Sequence, residues 1–183
     1  LTYPLSRGEI LLGKFIAHLL VLGFAVAVGL ALTAGLTIWQ YGAADLSYQP
    51  LFKLFATSLA LGAAFLGIGY GVSALSRQTS TASGIAIIVW LVCVVLYDLG
   101  LLGALVADGG GYFTKTLFPW LLVANPADAF RLINMPVETV STLAGGLSAA
   151  GPTVGMASPL VSLMLWPVAA LLLAWLAFRR VEP

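Results

Sequence analysis

The sequence predicts an all-α, polytopic membrane protein with four transmembrane helices. Three observations predict it. Hydrophobic residues make up 61% of the 183, charged residues only 8%, and the mean hydropathy is +1.05, whereas soluble domains carry about a quarter of charged residues. Four segments are long and apolar enough to cross a bilayer, which takes about 20 residues of helix: Phe15 to Ile38, Leu54 to Leu75, Gly84 to Val106, and Leu160 to Phe178. The basic residues divide between the two sides, Arg7, Lys14, Arg77, Arg179 and Arg180 on one and Lys53, Lys115 and Arg131 on the other. The positive-inside bias then puts both ends of this chain and the Ser76–Ser83 loop in the cytoplasm. With a net charge of +1 there is no basic stripe for nucleic acid, so none is expected as a partner. A single cysteine, Cys93, excludes an internal disulfide and a CxxC metal site.

Taken in order, the first element is the segment 1–14. Its "GEILLGK", Gly8 to Lys14, has the glycine–lysine spacing of a phosphate-binding loop. That loop needs a Ser or Thr hydroxyl on magnesium at the next position, and Phe15 stands there, opening an apolar run. The segment is therefore read as amphipathic, charged at Arg7, Glu9 and Lys14, and placed at the cytoplasmic surface. The chain opens on Leu1 with no leader pattern, and its natural N-terminus is expected further upstream. Residues 15–106 hold three spans with short loops. Residues 107–159 form the outer region, and 160–183 the last span with a cytoplasmic tail.

The outer region is the least like a plain span. "LFPWLLV" from Leu117 is too short to cross and reads as a re-entrant or interfacial piece beside Trp120. In "NPADAFRLIN", Asn125 can cap a short helix, Pro126 suits its first position, and Asp128 and Arg131 stand at i,i+3. The Gly-, Ser-, Thr- and Ala-rich stretch from Met135 to Pro159 is either a flexible loop or a docking surface for an extracytoplasmic partner.

Small residues recur at four-residue spacing, Ala17, Ala25, Gly29 and Thr33 on the first span and Ala63, Gly67 and Gly71 on the second. Such stripes let helix backbones approach, within one chain or across a dimer. Asp98 stands within the third span, where an acid costs about 2.5 to 3.5 kcal/mol. The neighbouring Leu, Ile and Val residues, at about −0.3 to −0.6 kcal/mol each, offset that cost. It either lines a polar path or pairs with another helix, or it stands near the outer headgroups with Tyr97 as an interfacial neighbour. His18, the one histidine, lies a turn above Lys14 and reads as an interfacial or packing residue. No protease or hydrolase motif is present, so no catalytic residue is assigned. Cys93, Met135, Met156 and Met164 are too scattered to form a metal site.

The order Pro4, Ser6, Arg7, Glu9, Gly13, Lys14 ahead of a span resembles the cytoplasmic segment of the ABC-2 transporter permeases. "LFPWLLVANPADAFRLIN" and the terminal "AFRR" add to the likeness and narrow it to permeases that serve maturation of the copper sites of nitrous-oxide reductase. The resemblance implies a six-helix subunit of the bacterial inner membrane, of which the four spans here are the third to sixth. It implies a homodimer, a separate cytoplasmic ABC ATPase touching Arg7, Gly8, Glu9 and Lys14, and a periplasmic partner above the outer region, with Asn125, Pro126, Asp128 and Arg131 as contacts. ATP and magnesium would be bound by the ATPase, and no cofactor by this chain. Another exported substrate, a secondary carrier using Asp98, and a scaffold without cargo are the alternatives.

Overall fold

The computed structural model describes residues 7–43, 47–76, 78–135 and 157–180. Most of the Met135–Pro159 stretch, with Met156, lies outside the described residues, as does Arg77; the side chains of Arg7, Arg179 and Arg180 are likewise not described. The described chain forms six helices: α1 (Arg7–Tyr41), α2 (Tyr48–Leu75), α3 (Thr79–Asp108), α4 (Phe113–Ala124), α5 (Pro126–Asn134) and α6 (Ser158–Arg180). Four of them, α1, α2, α3 and α6, are long and apolar enough to span a membrane. No strand occurs among the described residues.

The helices overrun the apolar segments by one to several turns, because a helix has no need to stop where its hydrophobic stretch does. α1 runs without a break from Arg7 through Lys14 and Phe15 to Tyr41. Gly8–Lys14 is thus regular helix, whose backbone N–H groups from Leu11 onward are committed to the ladder. No loop is left there to cradle a phosphate.

The chain divides into two compact units. The first comprises α1, α2 and the part of α6 from Pro167 onward. Between α2 and α6 its interior is built of small residues: Ala60, Ala63, Ala64, Ala170 and Ala174 are buried, with Leu11 and Phe15 the large buried side chains of α1, while Leu20, Phe24, Leu32, Leu36, Leu172 and Leu173 are exposed. This inverts the pattern of a water-soluble bundle. Lipid tails are as apolar as leucine, so helices gain by close backbone approach and leave their large side chains to the bilayer. At Gly67 α2 and α6 approach closely, a Cβ there falling 2.8 Å from Ala170 Cβ and 3.2 Å from α6 backbone atoms. Gly71 stands against Ala174 one turn along. Between α1 and α2 the close approaches are Gly62 under Leu22 and Gly23 under Leu59. Gly29 has nothing within 4 Å of where its Cβ would be, and Ala17, Ala25 and Thr33 are exposed.

The second unit, Ser76–Trp166, contains α3, α4, α5 and the first part of α6. At its turn, Gly109 (φ 56°) and Gly110 (φ 88°) adopt the left-handed backbone that glycine tolerates. The Asp108 carboxylate accepts from Thr114 N–H and Oγ1 at 2.9 and 2.8 Å, and Gly111 N–H donates to the Asp108 carbonyl at 3.1 Å. The carboxylate so placed satisfies the open N-terminus of α4. Beyond the turn α4 folds back along α3, with the Tyr97 hydroxyl reaching the Leu121 carbonyl at 2.7 Å.

Candidate functional site

The polar side chains of the second unit converge where α4 meets α5. Pro126 begins α5 and has no N–H, so α4 cannot be prolonged through it and its last carbonyls lack helical donors. In an apolar setting those carbonyls have no water to turn to. Three side chains supply the bonds: Tyr97 from α3 to Leu121 O, Ser162 Oγ from α6 to Val123 O at 2.5 Å, and Trp166 Nε1 to Ala124 O at 2.8 Å. Asn125 performs the cap that its sequence context predicts, its Oδ1 accepting from Ala127 N–H at 3.1 Å.

The other end of the Asn125 side chain makes the link to α3. Within α3, residues Val92–Leu96 form a π turn, in which Tyr97 N–H donates to Val92 O. An α-helix would send that N–H to Cys93 O. The Cys93 carbonyl instead accepts from Asn125 Nδ2 at 2.7 Å. The next carbonyl, Val94 O, accepts from Arg131 Nη2 at 2.9 Å. Cys93 lies about 22 Å along the helix axis from the Asp108 end of α3, at 1.5 Å per residue, which places the bottom of the α4–α5 hairpin beside the middle of the span.

Asp98 pairs with another helix, one of the outcomes expected of it. Arg131 Nη1 donates to Asp98 Oδ2, and to Asp128 Oδ1 at 2.9 Å. Asp128 also accepts from Asn125 Nδ2 at 2.9 Å. One guanidinium therefore serves two carboxylates and a carbonyl, as its planar fork of donors permits. Asp128 is 2% exposed and Asn125 5%, whereas Arg131 and Asp98 are each about one-third exposed at the side chain. Burial, followed by the neighbouring Asp98 carboxyl, pushes Asp128 up from 3.8 to about 6, against the opposing pull of Arg131 and Asn125. The folded state thus holds this proton more tightly than the unfolded chain, so stability falls as pH rises from about 4 to about 6. The midpoint of thermal unfolding in nanodiscs is expected to drop across that window, and Asp128→Asn should flatten the profile. An unchanged slope in Asp128→Asn would assign it to another group.

The cluster offers a fixed set of charges and donors and no nucleophile–base pair. Among the described residues no group of three or more His, Cys, Asp or Glu could hold a metal ion.

The sequence matches the family model described as "ABC-2 family transporter protein" over residues 1–182. The chain belongs to the ABC-2 transporter family. Two curated relatives of the chain carry the description "Probable ABC transporter permease protein NosY". One, from Pseudomonas aeruginosa, is 39% identical over 183 residues; the other, from Stutzerimonas stutzeri, is 37% identical over 194. Each match covers 98% of this chain, and the chain spans 66% of the length of each relative.

The remaining sites read from this ABC-2 sequence lie in the first unit. Gly8 is on the first turn of α1 against Trp175 of α6, with Glu9 and Lys14 exposed. His18 Nδ1 stands 2.8 Å from both Lys14 O and the Tyr70 hydroxyl, and Tyr70 packs edge-on to its ring. This is a packing role between α1 and α2. Asn125 and Asp128 spend their polar groups inside the chain and Pro126 is buried, while Lys115, Leu117 and Trp120 of α4 are exposed and Arg131 is half-buried. Tyr97, Ser162 and Trp166 were not legible as site residues. Their one signal is polar hydrogen-bonding groups within otherwise apolar helices, and such groups in lipid need partners.

Proposed function

We propose that this chain is the membrane-embedded part of an ABC transporter permease subunit, converting the ATP-driven motions of a separate ATPase into transport or mechanical work. The observation that carries the reading is the likeness, over 98% of this chain, to two proteins described as NosY permeases. Four helices fit to span a membrane agree with it. The resemblance to that subgroup implies a role in maturing the copper sites of periplasmic nitrous-oxide reductase, within a homodimer that engages a NosF-like ATPase and a NosD-like periplasmic partner. Both ends of the chain then lie in the cytoplasm, the α4–α5 hairpin is re-entrant from the periplasmic side, and ATP and magnesium reside on the ATPase.

The start of α1 is suited to the ATPase contact. Because Arg7–Lys14 is continuous with the span, a push on Glu9 or Lys14 acts on a rigid lever and is not absorbed by a flexible linker. Charge reversal, Arg7→Glu with Glu9→Arg, is expected to reduce permease-dependent stimulation of ATP hydrolysis at least tenfold in reconstituted complexes, with the membrane fold intact. Unchanged stimulation would remove the segment from the interface. The carrier reading is less well supported, since the Asp98 carboxylate faces the permanent positive charge of Arg131, which opposes binding of a cation there.

A further inference from the structure

Within the second unit, an irregularity in one helix coincides with the donors of another. The π turn at Val92–Leu96 accommodates one residue more than an α-helical path would. Its cost is a carbonyl, that of Cys93, left without its i+4 donor because Tyr97 N–H goes to Val92 O. Left unpaired in hydrocarbon, such a group is strongly destabilising. It is not left so, for Asn125 Nδ2 bonds Cys93 O, and Arg131 Nη2 bonds the neighbouring Val94 O. Both donors belong to the α4–α5 hairpin, and neither comes from α3 itself.

We infer that docking of the hairpin and the register of α3 are one coupled equilibrium, with Asn125 as the positioning residue that holds the π turn open and Arg131 fastening the hairpin beside it. When the hairpin leaves, α3 recovers its lost hydrogen bond by closing the π turn into α-helix. Closure adds one ordinary residue step, turning Thr79–Leu91 by about 100° relative to Tyr97–Asp108 and lengthening the helix by about 1.5 Å. The rotation carries the half-buried positions Ala86 and Val89 away from the face they occupy and brings an exposed position such as Ile88 in their place. The hairpin thereby has a means of turning one half of a span about its own axis without unfolding it, whatever the cargo.

The test uses the full-length permease in lipid nanodiscs, with single nitroxide side chains placed from Ser83 to Leu91 and from Leu99 to Val106. Oxygen accessibility along each stretch gives the phase of its lipid-facing stripe. Asn125→Ser keeps a cap acceptor for Ala127 N–H but is too short to reach Cys93 O. In that variant the Ser83–Leu91 stripe is expected to rotate by about 100° relative to the Leu99–Val106 stripe. Deleting Val95 removes the extra residue, so adding the deletion to Asn125→Ser should return the wild-type phase and recover any folded protein that the single substitution loses. A cap alone would not be rescued from α3. An unchanged phase in folded Asn125→Ser overturns the inference, and so does failure of the Val95 deletion to restore phase or folding.

Discussion

Arg131→Met is expected to lower the unfolding free energy of the permease by about 2 to 4 kcal/mol and its midpoint in nanodiscs by roughly 5 to 15 °C. The substitution removes donors to Asp98, Asp128 and Val94 O together. The Asp128 share dominates, since that carboxyl is 3% exposed at the side chain and breaking a buried pair from one side strands the other charge. The Asp98 share is smaller, because that side chain is 31% exposed and screening reduces what it contributes. Arg131→Lys is expected to recover only a minor part, as one ammonium cannot reproduce a fork that addresses two carboxylates and a carbonyl. Pairing Arg131→Met with Asp128→Asn should restore about half of the loss by removing the stranded charge. A lysine variant as stable as the wild type would show that charge alone matters.

At the interface of α2 with the later part of α6, Gly67→Ala is expected to cost about 1 to 3 kcal/mol, and Gly67→Leu to prevent assembly of a stable permease. The added Cβ meets Ala170 Cβ at 2.8 Å and backbone atoms at 3.2 Å, and backbone cannot move aside as the tip of a leucine does. Gly62 provides the contrast: its nearest obstacle is Leu22 Cδ2, a flexible end, so Gly62→Ala should be milder. Gly29→Ala is expected to be neutral within this chain, where nothing lies within 4 Å. Thermal stability of the purified variants ranks the three. A large effect at Gly29 would report a helix from outside this chain packing on that face of α1, which makes the substitution a probe of the expected dimer.

The spans were legible because the bilayer imposes a simple rule, length and apolarity, on every helix that crosses it. The small-residue stripe of α2 was legible for a related reason, close packing in lipid having few solutions, and Gly67 and Gly71 lie against α6 as such a stripe should. The stripe of α1 carries the same spacing, yet in this chain Gly29 faces outward while Gly23 makes the contact with α2. Spacing states that a face can be approached and leaves open which neighbour approaches it. Asp98 shows the same limit. Its cost in a span called for a partner, and its identity as Arg131, 33 residues later, depends on α4 folding back far enough to bring α5 beside the π turn.

Composition, hydropathy and charge placement by themselves determined a four-span helical membrane chain, the Asn125 cap and the Asp128–Arg131 pair, since each follows from lipid solvation or from contacts within four residues. Only the tertiary structure decided which carbonyls need donors and where the donors come from: Cys93 O bonded by Asn125, and the end of α4 by Tyr97, Ser162 and Trp166. The physical reason is that a backbone orphan arises from a local irregularity, a π turn or a proline. In a medium without water it is satisfied by whichever side chain the fold brings within about 3 Å, and sequence separation sets no limit on that choice.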